Sequence, residues 1–290
     1  MDVPVRQSWL SIVGPAWRSP RTWAAVTVSF ALLVALPTLL YPFGRDQGLY
    51  HYIGREWLHG SLPYRDTFDQ KPPGIYMLHA AAIGLLGTGQ WVIRLLEIGA
   101  LFAGALVLRK LVDGRATLRG NAFSTPLLLA TAFYFVYFDY WDTAQVELWE
   151  SLAVALSITV AFRRRSLTVA ALGSGSLLGL AILFKFPAAL FGIVPATFVV
   201  VRTLREDAGT APTAGWRAVG RLFAFGGSAA VPLLLVVSYF AVRGGLPDFI
   251  DVLIGYNRFY LLNKHADPKT WPALVLAYIG HAAVPLALAV

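Results

Sequence analysis

Long apolar runs recur along most of this chain, and short clusters of charged residues separate them. A helix of about 20 residues crosses a bilayer core of about 30 Å, so most of these runs are long enough to span a membrane. Only 14% of the 290 residues are charged while 57% are hydrophobic, and the mean hydropathy is +0.61. That is too little charge to cover the surface of a soluble domain. The sequence therefore predicts an all-α polytopic membrane protein.

One apolar run decides the topology. The runs cover residues 22–43, 73–88, 90–112, 122–138, 143–162, 167–184, 187–201, 218–242 and 273–290. The run at 73–88 is short, begins at Pro72-Pro73 and is rich in glycine, whereas the others approach the length of a span. We expect it to lie at the membrane interface.

The distribution of basic residues supports that choice. If 73–88 does not span, 14 basic and 4 acidic residues share the side of the N-terminus, and 10 basic and 12 acidic residues occupy the other side. Basic residues accumulate on the cytoplasmic side of membrane proteins. The sequence thus predicts eight transmembrane helices, a cytoplasmic N-terminus and two interfacial juxtamembrane helices in the first outer loop. Because the basic residues mark topology, nucleic acid is not an expected partner.

Two outer loops carry the polar residues that call for an explanation. Residues 44–89 are the predicted outer catalytic loop, where residues 45–76 alone hold four acids, four bases and several aromatic residues. Charge beside a bilayer is costly and is usually functional. The second outer loop, residues 243–272, is polar and aromatic, and we expect it to fold over the first. The 290 residues are otherwise predicted to form one transmembrane domain.

Asp46 is the first candidate catalytic residue. It begins a predicted amphipathic helix over residues 46–59, which presents Leu49, Tyr50, Ile53 and Trp57 on one side and is followed by Gly60. An aspartate at that position is typical of an N-cap that accepts backbone amide hydrogen bonds. It is also suited to be a general base for a hydroxyl. The two roles are compatible.

Two lysines are candidate anion ligands. Lys71 precedes Pro72-Pro73, where a helix is predicted to begin with its free amides directed outward, and such a helix start with a lysine favours phosphate. Lys185 ends the apolar run 167–184 near the same membrane face. Either lysine also fits a simpler role, in which its ammonium group extends to the interface.

Glu147 and Glu150 lie three residues apart near the start of a predicted span, and hence on one face of the helix. They are expected to face the bundle interior or a wet cavity, either paired with Arg55 or Lys185 or serving the reaction directly. No cysteine is present. His51, Glu56 and His59 could in principle bind a metal, since His51 and His59 lie on roughly the same face of the predicted helix. A third ligand is not evident, so neither a metal nor a cofactor is expected.

The ordered set of these residues resembles the GT-C membrane glycosyltransferases, in the group of protein O-mannosyltransferases and lipid A aminoarabinose transferases. Each element is weak alone, and their order across residues 46–185 carries the resemblance. In chain order the elements are Asp46, Tyr50, Arg55-Glu56, Gly60, Pro63-Tyr64-Arg65-Asp66, Lys71-Pro72-Pro73, Arg94-Leu95, Glu147, Gly179-Leu180-Ala181 and Lys185.

The resemblance implies a multi-pass protein of the plasma (inner) membrane that works on the cell envelope. Its donor would be a sugar on a polyprenyl phosphate, and its acceptor a hydroxyl of a protein, lipid or glycan on the extracytoplasmic face. Asp46 would act as base or acceptor-positioning group, and Lys71 and Lys185 would hold the lipid phosphate. We add Glu147 as a second catalytic carboxylate and Arg55 as a further phosphate ligand. Supporting roles are expected for Tyr50, Tyr64 and Glu150.

The chain departs from the family pattern at three points. Many relatives have Asp-Glu where this chain has Asp46-Gln47, and some have an arginine at the position of Leu49. Relatives also continue through further helices, so the resemblance implies that this chain covers the front half of the pattern. Two alternative functions are a flippase or transporter of lipid-linked sugars and a truncated, non-catalytic paralogue.

Overall fold

A computed structural model describes residues 20–112, 127, 131–138, 140–206, 213–263 and 272 of the chain. Within these residues the protein is helical and contains no β-strand, and one isolated bridge joins Pro63 to Thr67. The predicted all-α class is therefore confirmed for the part of the chain that is described.

The helices follow the predicted runs closely. Numbered in chain order, they are α1 (Pro20–Ala35, continued by a 3-10 turn at Leu36–Leu40), α2 (Arg45–Leu58), α3 (Gly74–Leu86), α4 (Trp91–Val112), α5 (Val146–Arg163), α6 (Leu167–Phe184), α7 (Ala188–Phe191), α8 (Ile193–Glu206), α9 (Ala214–Val242), α10 (Leu246–Ile250) and α11 (Asn257–Asn263), with π-helical turns at Ala132–Tyr137 and Asp251–Tyr256.

Five described segments are long and apolar enough to cross a membrane, fewer than the eight expected. They are Arg21–Leu40, Trp91–Leu111, Leu167–Phe184, Ala188–Glu206 and Ala214–Val242. Helix α5 occupies the predicted run at 143–162 but carries Glu147, Glu150 and Arg163. The run at 273–290 lies outside the described residues, and residues 127 and 131–138 are described from the run at 122–138. The described residues thus contain the helices of a membrane protein, and five candidate spans are found among them where eight were expected for the whole chain.

Helices α2 and α3 of the first outer loop pack against each other. Helix α2 begins one residue before the predicted 46–59 segment, and Gly60 follows it with a positive φ of 100°, as expected of a residue that ends a helix. Helix α3 has 13 residues. At 1.5 Å per residue it is about 20 Å long, which is shorter than the hydrocarbon core.

The second outer loop folds onto the first, as predicted, within the described residues 243–263. The side chain of Asn257 donates a hydrogen bond to the Gln70 carbonyl at 2.9 Å, and the rings of Phe249 and Tyr64 meet edge to face with centroids 5.5 Å apart. Both rings belong to the largest apolar cluster, which also contains Phe240 of α9. The first outer loop is consequently clamped between the bundle and the second loop.

Helix α6 lies at the centre of the bundle and packs closely on α9. At Gly175 and Gly179, backbone carbonyls of Phe225 and Ala229 occupy the space where a side chain would begin. Small residues allow helix backbones to approach in this way, which is how membrane helices gain packing energy without a hydrophobic driving force between them.

A buried histidine between α2 and α3 gives the fold a testable pH dependence. Neither ring nitrogen of His79 has a hydrogen-bond partner among the described residues, and burial, followed by the proximity of His51, lowers the pKa of His79 to about 3. The folded protein keeps this ring neutral, whereas the unfolded chain binds a proton below a pKa of about 6.5. Stability contributed by the neutral ring is therefore lost as pH falls from about 6.5 towards 3.

We expect His79→Phe to reduce the loss of stability on acidification, because it removes a group that only the unfolded chain can protonate. One such group contributes up to about 1.4 kcal/mol per pH unit. Thermal unfolding in detergent at several pH values between about 4 and about 7 measures the slope. His59→Gln, at the exposed end of α2, is the control and should keep the wild-type slope. Equal slopes for His79→Phe and the wild type would contradict the assignment.

Candidate active site

A cleft of about 870 Å³ opens between the first outer loop, the segment that precedes α5 and the first turn of α5. Its lining includes Asp46 of α2, Lys71 of the turn before α3, and Glu147 of α5. Its volume lies in the upper part of the range of small-molecule sites. Three of the predicted site residues, distant in sequence, therefore line one cavity.

Asp46 and Lys71 form the first of two acid and lysine pairs. The Lys71 Nζ lies 3.1 Å from Asp46 Oδ2, and it also donates a hydrogen bond to the Tyr50 hydroxyl. The Tyr50 hydroxyl in turn donates to the Gln145 side chain at 3.3 Å. Lys71 is thus directed at the cleft and the N-terminus of α2. Tyr50, predicted as a supporting residue, thus lies between Lys71 and Gln145.

Asp46 is not the N-cap of its helix, which corrects one of the two predicted roles. Gly44 is the N-cap of α2, and its amide donates to the Gln47 side chain at 2.8 Å. Asp46 stands in the first turn, where a carboxylate is stabilised by the helix dipole. Its oxygens accept from Lys71 and from the Arg45 Nε at 3.1 Å. The carboxylate is therefore free of a capping role and faces the cleft.

The backbone of Lys71 is held by two buried tyrosines. Its carbonyl accepts hydrogen bonds from the hydroxyls of Tyr64 at 2.8 Å and Tyr76 at 3.3 Å. Tyr64 is itself in the left-handed region with φ 73°, a conformation that a non-glycine residue keeps only where its surroundings enforce it. Tyr64, predicted as a supporting residue, is thus bonded to the turn that carries Lys71.

Glu147 and Lys185 form the second pair. Glu147 lies in the first turn of α5, Lys185 caps the C-terminus of α6, and their side-chain atoms are 2.7 Å apart. This is one of the two partners predicted for the glutamates. Glu150 lies one turn deeper and is buried, within electrostatic range of Lys185 and Glu147. Lys71 is also close enough to Glu147 to act on it electrostatically, so the two pairs are neighbours.

A close backbone contact brings the two lysine-bearing segments together. A side chain added at Gly74 would begin 2.6 Å from the Leu183 carbonyl oxygen. The start of α3 consequently rests directly on the end of α6. Lys71 lies three residues before Gly74 and Lys185 lies two residues after Leu183, so this contact sets how far apart the lysines can be.

A buried polar network fastens the walls of the cleft. Arg94 and Glu97 of α4 are fully buried, with Nη1 and Oε2 3.3 Å apart. Arg94 donates to Thr143 Oγ1 at 2.5 Å and to Gln47 Oε1 at 2.8 Å. Glu97 accepts from the Tyr134 hydroxyl at 2.6 Å and from the Ala144 amide. The network therefore joins α4 to α2 and to the segment that precedes α5.

Gln47 has a structural role in this network. It is fully buried, and its side-chain nitrogen donates to the carbonyls of Tyr140, at 2.8 Å, and Thr143. Its side-chain oxygen accepts from Gly44 and Arg94. An uncharged amide can donate and accept at once, and a glutamate at this position could not make both donations. Gln47 points away from the cleft, so it is not a substitute for a second catalytic acid.

Arg55 does not reach the cleft, in contrast to its predicted role as a phosphate ligand. It lies in the last turn of α2, nine residues from Asp46, which corresponds to about 14 Å along the helix axis. Its guanidinium group is 3.2 Å from the Glu56 carboxylate. Arg55 and Glu56 therefore form a pair of their own at the far end of α2.

The electrostatics of the first pair favour a charged aspartate. Partial burial tends to raise the pKa of Asp46, but the hydrogen bond and charge of Lys71, followed by those of Arg45, outweigh it and hold that pKa below its ordinary value. Burial, and then the charge of Asp46, raise the pKa of Tyr50. At neutral pH the site thus contains an aspartate anion, and Tyr50 keeps its proton and acts as a hydrogen-bond donor.

No cluster of three or more potential metal ligands occurs among the described residues. The ring of His51 packs on Phe43 and His79, with centroids 4.7 and 5.8 Å away. Glu56 is engaged with Arg55.

Known proteins offer no further guide to this site: no family model matches the chain, and neither a curated protein nor a solved structure shows significant similarity to it.

We expect Arg94→Met to destabilise the protein by about 3 to 5 kcal/mol, because it leaves the charge of Glu97 buried without its partner. Adding Glu97→Gln removes that charge while keeping an acceptor for Tyr134 and Ala144. The double variant should therefore be more stable than Arg94→Met alone, as judged by thermal unfolding in detergent. A matched exposed pair, Arg65→Gln with Asp66→Asn, should change stability little. A double variant less stable than Arg94→Met would contradict the coupling.

Proposed function

We propose that this chain is a membrane glycosyltransferase of the GT-C type, which transfers a sugar with inversion from a polyprenyl phosphate to an acceptor hydroxyl. The observation that carries the proposal is a cleft lined by Asp46, Lys71 and Glu147, in which Lys71 is paired with Asp46 and Lys185 lies 2.7 Å from Glu147. Two ammonium groups and two carboxylates in or next to one cleft supply both an anion site and a base, which this transfer requires.

The two lysines are suited to hold the donor phosphate. Each already has its ammonium group fixed by a carboxylate, so both are oriented before a ligand arrives. Charge-assisted hydrogen bonds to phosphate oxygens are among the stronger ones in proteins. When a phosphate enters, each lysine can exchange its contact with a carboxylate for one with the phosphate. That exchange would release Asp46 from the partner that keeps its pKa low.

The reaction then needs one base and a stabilised leaving group. Asp46 accepts the proton of the acceptor hydroxyl as the hydroxyl oxygen forms a bond to the anomeric carbon. The bond from that carbon to the phosphate oxygen breaks, and the polyprenyl phosphate departs with the electron pair. Lys71 and Lys185 stabilise the charge that develops on this phosphate. Glu147 keeps Lys185 in place and provides a second carboxylate beside the cleft.

An apolar groove near the turn that carries Lys71 supports a lipid-linked donor. It has a volume of about 410 Å³ and is lined almost entirely by carbon, including Met77 of α3, Leu183 of α6 and Tyr239 of α9. Leu183 is two residues from Lys185, and Met77 is six residues from Lys71. A donor with its phosphate at the lysines thus has an apolar surface nearby for the first isoprene units.

The orientation of the cleft follows from charge. The ends of α5 and α8 that lie away from the cleft carry Arg163, Arg164, Arg165, Arg202 and Arg205. The positive-inside rule assigns that end to the cytoplasm. We infer a plasma-membrane protein with eight spans, a cytoplasmic N-terminus and an extracytoplasmic cleft. This orientation suits a transferase whose donor is presented outside.

Asp46→Asn is expected to lower the turnover number by at least about 10²-fold, since general-base help contributes about 10² to 10⁴-fold. The assay uses the purified chain in lipid nanodiscs with a panel of radiolabelled polyprenyl-phosphate sugars and hydroxyl acceptors. Asp251→Asn is the matched control, because Asp251 is an exposed acid of the second outer loop that does not line the cleft. Near-normal turnover of Asp46→Asn would remove the central role of this residue.

Lys71→Gln and Lys185→Gln should each weaken use of the donor by about tenfold or more, seen as a raised KM for the polyprenyl-phosphate sugar. A hydrogen bond to a charged group contributes about 1.5 to 3 kcal/mol, and about 1.4 kcal/mol corresponds to tenfold. Lys110→Gln, in the last turn of α4 and away from the cleft, is the control for loss of a single positive charge. If the chain in sealed lipid vesicles moves a lipid-linked sugar across the bilayer without transferring the sugar, the flippase alternative is favoured instead.

A further inference from the structure

A second groove runs along α8, and its basic end lies at the opposite end of the bundle from the cleft. It has a volume of about 380 Å³ and runs along one face of α8, with Phe162 of α5 as its facing wall. The α8 residues on this face include Ile193, Val194, Phe198 and Val201. The hydroxyl of Thr197, the one uncharged polar side chain there, donates to the Ile193 carbonyl at 2.7 Å. The floor of the groove is therefore apolar.

Basic residues close one end of this groove. Arg202 and Arg205, in the last two turns of α8, are part of its lining, and Arg205 is exposed. The guanidinium of Arg202 donates to the carbonyls of Ala161 at 2.7 Å and Arg164 at 2.8 Å. These bonds fix the end of α5, with its three successive arginines, beside the end of α8.

The charge at that end is strongly unbalanced. Residues 161–166 and 202–206 contain five arginines and one acid, Glu206, which lies 3.8 Å from Arg202. The side chains of Arg164 and Arg165 are exposed. Within these two described segments, a negatively charged group at the mouth of the groove would therefore meet several guanidinium groups and one carboxylate, which is already near Arg202.

The length of the groove matches one leaflet of a bilayer. Ile193 and Arg205 are twelve residues apart, which corresponds to about 18 Å along a helix. Half of a hydrocarbon core of about 30 Å is about 15 Å. Phe162 and Phe198 pack with ring centroids 5.2 Å apart and form part of the wall. A hydrocarbon chain lying in the groove would thus reach the basic end at the depth of the headgroups.

We propose that this groove is a selective binding site for an anionic phospholipid. The phosphate binds at Arg164 and Arg205, and one acyl chain lies along α8 against Phe162. A soluble phosphate would use the basic end but not the apolar groove, whereas a zwitterionic lipid would use the groove and gain less from the arginines. Only an anionic lipid uses both features. The proposal concerns the opposite side of the molecule from the cleft and is independent of the glycosyltransferase proposal.

The test compares lipid selectivity among matched variants of the full chain. The protein is equilibrated in mixed micelles with equal amounts of phosphatidylglycerol and phosphatidylcholine, and native mass spectrometry counts the lipids that remain bound. The readout is the ratio of bound phosphatidylglycerol to phosphatidylcholine. A basic residue near the surface contributes about fivefold in anionic-lipid affinity, so Arg164→Gln with Arg205→Gln should lower this ratio by about tenfold or more.

The charge-matched control is Arg109→Gln with Lys110→Gln, which removes two positive charges from the end of α4, outside the groove. It should leave the ratio near the wild-type value. An unchanged ratio in the groove variant, or an equal fall in the control, would overturn the proposal, since the selectivity would then be absent or would reflect net charge alone.

A second variant tests the apolar part of the groove without altering charge. Val194→Trp adds bulk at a residue that is 38% exposed, so the fold should tolerate it. We expect it to reduce the number of bound phosphatidylglycerol molecules by one, with an unchanged unfolding temperature. Full retention of the bound lipid would show that the acyl chain does not lie in the groove, and would overturn the proposal in that form.

Discussion

A fully buried ion pair, Arg94 with Glu97, is the interaction on which the rest of the cleft depends. Removing two charges from water is costly, and the cost is recovered only if every donor and acceptor finds a partner. Most do so here through groups far away in the chain: Gln47 at the start of α2, and Thr143 and Ala144 ahead of α5. The pair therefore ties together the segments that present Asp46 and Glu147.

The same reasoning explains why charge is concentrated at the two ends of the bundle. Beside the cleft, each lysine is matched by a carboxylate, so the charges are mutually satisfied and remain within reach of a ligand. At the other end, the segments 161–166 and 202–206 hold five arginines and a single acid. A balanced set of charges suits chemistry in which protons and phosphate exchange partners, whereas an excess of one sign suits the attraction of an anion.

Much of this arrangement could be predicted from the sequence, because long apolar runs and interruptions by proline, glycine and charge are local signals. The run at 167–184 has the bounds of α6, and the helix predicted over 46–59 is α2 to within one residue. The contact of Glu147 with Lys185 was also predictable, since two acids at the start of a span need bases near the same face.

The buried network around Arg94 and Glu97 and the position of Arg55 were not predictable in this way. Arg94 and Glu97 offered the same signal as Glu147 and Glu150, two charges three residues apart at the start of an apolar run, but their partners lie some 40 to 50 residues away in the chain. The capping role of Asp46 failed for a local reason, because Gly44 and Gln47 cap the helix instead. Arg55 was predicted to bind the phosphate, but it does not line the cleft because nine residues of helix separate it from Asp46.

Photo-crosslinking with a polyprenyl phosphate tests directly whether a donor phosphate binds between Lys71 and Lys185. A short polyprenyl phosphate with a diazirine in its first isoprene unit would be irradiated with the chain in nanodiscs, and the adducts mapped by mass spectrometry. We expect adducts near Met77, Leu183 and Tyr239, and we expect an excess of unlabelled polyprenyl phosphate to prevent them. Adducts confined to other surfaces, or unaffected by competition, would contradict a donor phosphate bound between Lys71 and Lys185.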